Sequence, residues 1–154
     1  MFKKIDHTEN PPSRNILIWD GKCGFCKFWK TRWEEKTEGK IIFKTFQEYA
    51  SNFPDIPLKE FKKASRLIET DGKIYSGPDS AFRSIWHAGI KTQHQLYISN
   101  SLFRYLSDHA YNHIAKNRSF YFKVTRILFG SNPNNLQPYW LIYLIILITV
   151  LLII

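Results

Sequence analysis

The sequence is poor in cysteine, glycine and proline, and each scarcity excludes a class of protein. Two cysteines in 154 residues cannot build the several disulfides that stabilise a small secreted scaffold. Seven glycines and seven prolines are too few for a collagen-like or low-complexity chain. The hydrophobic fraction of 44% indicates an ordinary folded core instead, and the length favours one domain.

Negative charge is missing from the C-terminal part of the chain. Every acidic residue lies at or before Asp108, and no charged residue follows Arg126. The formal net charge of +9 favours an anionic partner, either nucleic acid or a lipid surface. We expect no nucleic-acid partner, because the basic residues of the polar part are scattered and no recognition motif accompanies them.

The N-terminus lacks the features of a signal peptide. Residues 1–14 contain neither an apolar segment nor a small-residue cleavage site. We expect them to form a short flexible lead-in to the first strand.

The C-terminus is a long apolar run. Residues 139–154 are uncharged and nearly all large and apolar. As a helix they would measure about 24 Å, against about 30 Å for the hydrocarbon core of a bilayer. We expect a single-pass membrane anchor joined by a short linker, residues 131–138, although a buried core strand or helix is the alternative. Four basic residues precede the run and would place the folded domain on the cytoplasmic side; they are Lys116, Arg118, Lys123 and Arg126.

The remaining sequence, residues 15–130, predicts one α/β domain. Its pattern gives a strand, a helix, a second strand, a short helical stretch, a hairpin around Asp71-Gly72 and further helices. This order is typical of a small mixed sheet flanked by helices. The basic and aromatic segment 119–129 either lies along lipid headgroups or forms the last helix of the domain.

Cys23-Gly24-Phe25-Cys26 is the stretch that points most directly to chemistry. It lies where the first strand meets the first helix, in a strand–helix–strand unit, a context in which Cys-x-x-Cys indicates a redox pair. The helix N-terminus favours a thiolate at Cys23, and Lys22 and Lys27 add positive charge nearby. We therefore predict Cys23 as the attacking nucleophile and Cys26 as the resolving thiol.

Two other interpretations of the cysteines stay open. Cys23 and Cys26 could bind zinc together with His109 and His113, although the separation lacks zinc-finger spacing. Alternatively, both cysteines are inert small hydrophobic residues. We predict neither a metal nor a separate cofactor, the redox group being the Cys23–Cys26 disulfide itself.

Three segments in this order resemble the DCC family of predicted thiol-disulfide oxidoreductases, named for an Asp-Cys-Cys motif. They are Asp20-Gly-Lys-Cys-Gly-Phe-Cys26, the hairpin and helix entry Asp71–Ala81, and Tyr111-Asn-His-Ile-Ala-Lys-Asn-Arg118. The resemblance implies a thioredoxin-like fold and carries over Asp20, Cys23 and Cys26 as site residues.

Asp20 has two interpretations of its own. Its carboxylate, three residues before Cys23, could relay a proton during exchange or raise the pKa of Cys23. It could equally serve the Asp-Gly turn alone. The chain departs from thioredoxin-like proteins in one place, because Lys63-Ala64-Ser65 occupies the position where they usually carry a cis-proline.

Two functions follow from these observations. The first is a membrane-tethered thiol-disulfide oxidoreductase, of protein-disulfide reductase type, acting on protein or small-molecule thiols and disulfides and contacting lipid through its tail. The second is a non-catalytic binding or scaffold module on a membrane, suggested by the basic, aromatic stretch from Lys116 to Phe129 beside the apolar tail.

Overall fold

A four-stranded mixed sheet forms the centre of the molecule in a computed structural model, which describes residues 1–153. The strands are β1 (Ile16–Trp19), β2 (Ile42–Thr45), β3 (Arg66–Ile68) and β4 (Ile74–Ser76). Their order is β2-β1-β3-β4, with β1 parallel to β2 and the other two pairings antiparallel. The predicted α/β class, strand–helix–strand unit and hairpin are confirmed, and the arrangement fits a thioredoxin-like fold.

Eight α-helices accompany the sheet within the described residues. They are α1 (Gly24–Thr37), α2 (Phe46–Tyr49), α3 (Leu58–Lys63), α4 (Pro78–His87), α5 (Thr92–Ser99), α6 (Ser101–Lys116), α7 (Arg118–Phe129) and α8 (Tyr139–Ile153). Helix α5 is absent from the sequence-based description. It buries only His94 and Tyr97, so it carries too little apolar periodicity to be recognised.

The two faces of the sheet pack against different parts of the chain. Alternate residues of β1 point to opposite faces, as a strand requires. Ile16 and Ile18 join a buried cluster with side chains from the α2–α3 region, such as Phe53 and Phe61. Leu17, between them, faces a second cluster on the side covered by α1 and α4. Helix α1, with the cysteines at its start, is therefore fixed on one face of the sheet.

The first residues of the chain make tertiary contacts, although residues 1–14 were expected to be a flexible lead-in. Phe2 and Thr8 are buried. The backbone of Thr8 donates a hydrogen bond to the carbonyl of Gly72 at 2.9 Å, and Lys4 forms an ion pair with Asp108 at 2.6 Å. The segment thus links the hairpin loop to α6.

Gly72 is the one position of the hairpin loop where glycine is needed. Its φ is +84°, and a Cβ there would lie 2.7 Å from Nε2 of His7 and 2.9 Å from the carbonyl of Thr8. An L side chain would meet both the unfavourable backbone region and the N-terminal segment.

The C-terminal helix α8 exposes its apolar side chains. All of its residues from Tyr139 to Leu152 are exposed. No helix within residues 1–153 is both long and apolar enough to cross a bilayer, so the expected membrane-spanning helix at residues 139–154 finds no support; Ile154 lies outside the described residues. Segment 119–129, by contrast, is helical, and the α7 helix that contains it packs against α1.

Candidate active site

Cys23 caps the N-terminus of α1. Its backbone is extended, and its Sγ accepts a hydrogen bond from the backbone N–H of Cys26 at 3.1 Å. The backbone N–H of Cys23 donates in turn to the carbonyl of Asp20 at 3.1 Å, which closes the turn after β1. Both cysteines are free thiols and half-buried. The predicted placement of the Cys-x-x-Cys pair, at a strand-to-helix junction, is the one observed.

The two thiols differ in acidity. The pKa of Cys23 is lowered to about 6, chiefly because the Cys26 thiol hydrogen-bonds to its sulfur, with the Cys26 amide and Arg118 acting in the same direction and burial opposing them. The pKa of Cys26 is raised, because its thiol hydrogen-bonds to Cys23 and is desolvated beside it. At neutral pH Cys23 is therefore a thiolate and Cys26 a neutral thiol, as a nucleophile and a resolving thiol require.

Arg118 is the cation in contact with this pair. Its Nη1 lies 3.0 Å from Oδ2 of Asp20 and donates to Sγ of Cys26 at 3.8 Å. Its Nη2 donates to the carbonyl of Lys62 at 3.3 Å. In the sequence Arg118 is one of the basic residues that precede the tail, but the structure places its guanidinium at the thiols.

The lysines expected to supply positive charge, Lys22 and Lys27, are exposed. Arg118 is instead brought in by α7, which packs against α1. Gly24 permits this close approach, since a Cβ at that position would lie 3.0 Å from the ring of Phe122. The only sequence signal for Arg118 was its place in the third family-like segment.

Asp20 serves both the turn and the charge arrangement. Its Oδ1 accepts hydrogen bonds from the backbone of Lys22 at 3.1 Å and from the side-chain amide of Gln47 at 2.8 Å, while Oδ2 faces Arg118. Its negative charge contributes to raising the pKa of Cys26, whereas the sequence suggested an effect on Cys23. Gln47 also accepts from the backbone of Gly21 at 3.1 Å, and no sequence motif marks it as a site residue.

Ser65 occupies the position where thioredoxin-like proteins usually have proline. Its backbone N–H donates to the hydroxyl of Tyr111 at 3.0 Å, a bond that proline could not make. Its hydroxyl lies 2.8 Å from that of Ser80. Burial raises the pKa of Tyr111, so its hydroxyl stays protonated beside the redox pair.

The structure does not bring together the four side chains of the zinc alternative. Within residues 1–153, no three His, Cys, Asp or Glu side chains lie close enough to hold a metal ion together. His109 and His113 are exposed on α6, and Nδ1 of His109 lies 2.9 Å from the carbonyl of Tyr105.

Comparison with known proteins agrees with this geometry. A family model described as DCC1-like thiol-disulfide oxidoreductase matches residues 17–124, a range that contains both cysteines, Asp20 and Arg118. No curated protein and no solved structure matches the chain. Since the family match covers well over half of the chain, this protein belongs to the DCC1-like thiol-disulfide oxidoreductase family.

Proposed function

We propose that the protein carries out thiol-disulfide exchange with Cys23 as the nucleophile and Cys26 as the resolving thiol. One observation carries this assignment: the sulfur of Cys23 caps a helix 3.1 Å from the Cys26 amide, and its pKa lies near 6. Unpaired backbone N–H groups at a helix N-terminus stabilise a thiolate. An inert buried cysteine has a raised pKa instead.

The exchange proceeds in two substitutions. The Cys23 thiolate attacks one sulfur of a substrate disulfide, forms a mixed disulfide and expels the other substrate sulfur as a thiolate. Cys26 then loses its proton and attacks the sulfur of Cys23, forming the Cys23–Cys26 disulfide and releasing the second substrate thiolate. The substrate gains two electrons and the protein loses two; the reverse sequence oxidises a substrate dithiol.

Arg118 and Asp20 act on the second substitution. When Cys23 forms a mixed disulfide, it loses the negative charge that keeps Cys26 protonated. The Arg118 guanidinium, 3.8 Å from Sγ of Cys26, then stabilises the Cys26 thiolate as it forms. Asp20 holds that guanidinium in place at 3.0 Å, so we assign Asp20 as a positioning residue, with proton relay as a further role to be tested.

Insulin reduction by dithiothreitol tests the exchange reaction. The full chain should accelerate it, and Cys23→Ser should abolish the acceleration. Cys26→Ser should trap the mixed disulfide with a protein or small-molecule partner, which mass spectrometry can identify. Equal rates for the wild type and Cys23→Ser would overturn the proposal and favour a non-catalytic binding module on the same fold.

We also propose that α8 attaches the domain to the lipid of a membrane, with the domain on the cytoplasmic side. The support is an uncharged helix whose large apolar side chains are exposed from Tyr139 to Leu152, since exposed apolar surface of this extent marks a site of contact with lipid or protein. Three basic residues of the flanking sequence, Lys116, Lys123 and Arg126, are also exposed and suit a surface of anionic headgroups.

Cell fractionation tests this attachment. Deletion of residues 139–154 should move the protein from the membrane fraction to the supernatant, with thiol exchange retained. A matched variant with a retained tail but Lys123→Gln and Arg126→Gln should bind anionic vesicles more weakly. Unchanged fractionation of the deletion variant would rule out the attachment.

A further inference from the structure

A large apolar cavity lies directly beside Cys26. It measures about 640 Å³, opens to the surface and lies between α1, α4, α6 and α7, with Leu17 and Trp19 of β1 and Phe61 of α3 also in its lining. Most of its lining is carbon, much of it aromatic. Nine aromatic side chains line it, among them Trp19, Trp29, Trp33 and Tyr111.

Several of the polar lining groups belong to the redox site. Cys26, Asp20 and Arg118 line the cavity, and Arg118 contacts the other two. Tyr111 and Ser65 line it as well, joined by their hydrogen bond of 3.0 Å. Cys23 is not among the lining residues. The resolving thiol thus faces the cavity, while the nucleophile at the helix tip does not.

An open apolar cleft of this size suits a ligand, because small-molecule sites are concave and lined mainly by hydrophobic and aromatic side chains. Water is disfavoured in a space lined mainly by carbon, because it finds too few hydrogen-bond partners there. The volume lies in the range of about 300–1,000 Å³ typical of sites for small organic molecules, and a few polar groups beside an apolar lining are their usual composition.

The chemistry of the neighbouring pair restricts what that molecule does. The hydrogen bonds that hold Cys23 as a thiolate stabilise the reduced protein, which makes its disulfide a better oxidant. A protein that takes electrons from substrate dithiols must then pass two electrons on before its next turnover. The acceptor has to reach a cysteine, and Cys26 is the one that borders the cavity.

We propose that the cavity binds a lipophilic quinone, which reoxidises the Cys23–Cys26 pair. A quinone ring suits the aromatic lining, and its carbonyl oxygens accept hydrogen bonds from the Arg118 guanidinium and the Tyr111 hydroxyl. An apolar substituent fills the remaining carbon-lined space. This inference rests on the proposed exchange function and names the electron acceptor of the same site.

The redox step transfers two electrons from the two cysteines to the quinone. The sulfur of Cys26 adds to the quinone ring, forming an S–C bond as its proton passes to a quinone oxygen. The Cys23 thiolate then attacks the sulfur of Cys26; the S–S bond forms, the S–C bond breaks, and its electron pair stays on the ring. The second quinone oxygen takes a proton from solvent. The pair loses two electrons, and the quinone becomes a hydroquinone.

Binding and electron transfer can be measured separately with the full chain and decylubiquinone. Binding should quench tryptophan fluorescence, because Trp19, Trp29 and Trp33 line the cavity. The reduced protein should convert the quinone to hydroquinone, read as loss of the quinone's ultraviolet absorbance, with one disulfide formed per quinone. Cys26→Ser should still bind the quinone and should fail to reduce it.

Two variants that fill the cavity test whether the quinone binds there. Ala81→Leu on α4 and Ala115→Leu on α6 both extend side chains from lining positions and should weaken quinone binding at least tenfold. Ala88→Leu, at the end of α4 and outside the lining, is the matched control and should bind as the wild type does. Equal quenching in all three variants would place the quinone elsewhere and overturn the proposal.

Two further outcomes separate this inference from the proposed function. Insulin reduction by the wild type without quinone binding would overturn the quinone site and leave the exchange function standing, and a second copy's apolar tail would then be the occupant to examine. Quinone binding without thiol exchange would overturn the exchange function and leave the quinone site standing. If both leucine variants fail to fold, photolabelling of the wild type with an azidoquinone replaces them. Label on the lining residues of α1, α4, α6 or α7, or on Trp19 or Phe61, supports the cavity, and label confined elsewhere contradicts it.

Discussion

The guanidinium of Arg118 and the carboxylate of Asp20 form an ion pair at 3.0 Å, although 98 residues separate them in the sequence. The same guanidinium nitrogen donates to Sγ of Cys26 at 3.8 Å. One arginine therefore joins the end of β1 to the start of α1 and places positive charge beside the redox pair. Its neighbour Lys116 is exposed.

Replacing Arg118 should make Cys23 less acidic. The Arg118 charge lowers the pKa of Cys23, so in Arg118→Gln the titration of the Cys23 thiolate, followed by its ultraviolet absorbance, should move to higher pH. We expect insulin reduction at neutral pH to slow by about tenfold, because the Cys26 thiolate that forms in the second substitution also loses the guanidinium; a tenfold change corresponds to about 1.4 kcal/mol. Lys116→Gln changes an exposed side chain two residues before Arg118, at the end of α6, and should behave as the wild type. A shift of the same size there would attribute the effect to net charge alone.

Replacing Cys26 should separate the effects of its side-chain and backbone hydrogen bonds on the pKa of Cys23. The side-chain bond is the largest cause of the lowered pKa of Cys23, and the backbone N–H adds to it. Cys26→Ala removes the side-chain donor, so the pH at which iodoacetamide alkylates Cys23 at half its maximal rate should rise from about 6. Cys26→Ser keeps a hydroxyl donor and should lie closer to the wild type. If alanine and serine give the same profile, the side-chain hydrogen bond is not the cause.

The parts of the site that were predictable from the sequence are those encoded locally. The strand before Asp20, the helix after Cys23 and the two-residue spacing of the cysteines all lie within one short segment, and each was recognised. The contact of Arg118 with Cys26 spans 92 residues and depends on how α7 packs against α1. No periodicity or spacing in the sequence near Arg118 indicates that its side chain contacts Cys26.

The cavity was unpredictable for the same physical reason. Its walls come mainly from four helices, with β1 and α3 also contributing, and each helix alone shows only an ordinary apolar face. Whether those faces close on one another or leave a space depends on side-chain volumes across the whole domain. The low-periodicity helix α5 and the tertiary contacts of Phe2 and Thr8 belong to this class of feature as well.

The carboxylate of Glu69 should make folding stability depend on pH. It accepts hydrogen bonds from Arg83 at 2.7 and 3.1 Å and lies 2.7 Å from His87, which joins the hairpin to α4. Its pKa is lowered to about 2, with the hydrogen bonds to His87 and Arg83 overcoming the opposing effect of burial. Because this pKa is lower in the folded protein, the ionised carboxylate stabilises the fold at pH values above its unfolded-state pKa, near 4.5. That stability is lost as the pH falls through the folded-state pKa of about 2.

Glu69→Gln should therefore be less stable than the wild type at pH 7 by about 1–2 kcal/mol. The difference should shrink below pH 4.5 and vanish near pH 2, where the wild-type carboxyl is protonated too. Urea unfolding at several pH values measures it. Glu38→Gln, at an exposed carboxyl, is the control; a difference for Glu69→Gln that does not change with pH would contradict the assignment.

The buried arginine in β3 should depend on one carboxylate. Arg66 is completely buried; it donates to Ser76 Oγ at 2.6 Å and to the carbonyl of Lys3 at 3.0 Å. Its anionic partner is Glu60, at 3.5 Å. Glu60→Gln keeps an oxygen acceptor but leaves the Arg66 charge buried without a counter-ion, which typically costs about 3–5 kcal/mol.

Lys63→Gln is the matched control for Glu60→Gln. Lys63 also pairs with Glu60, at 2.9 Å, but its side chain is 48% exposed, so its loss should cost less than about 1 kcal/mol. Urea unfolding at pH 7 compares the two variants. The Glu60 carboxylate bonds to Lys3, Lys63 and Arg66, so the Cys23 alkylation profile should be the same in both variants. Similar losses of stability in the two would mean that Ser76 and the carbonyls of Lys3 and Glu60 satisfy Arg66 without the carboxylate.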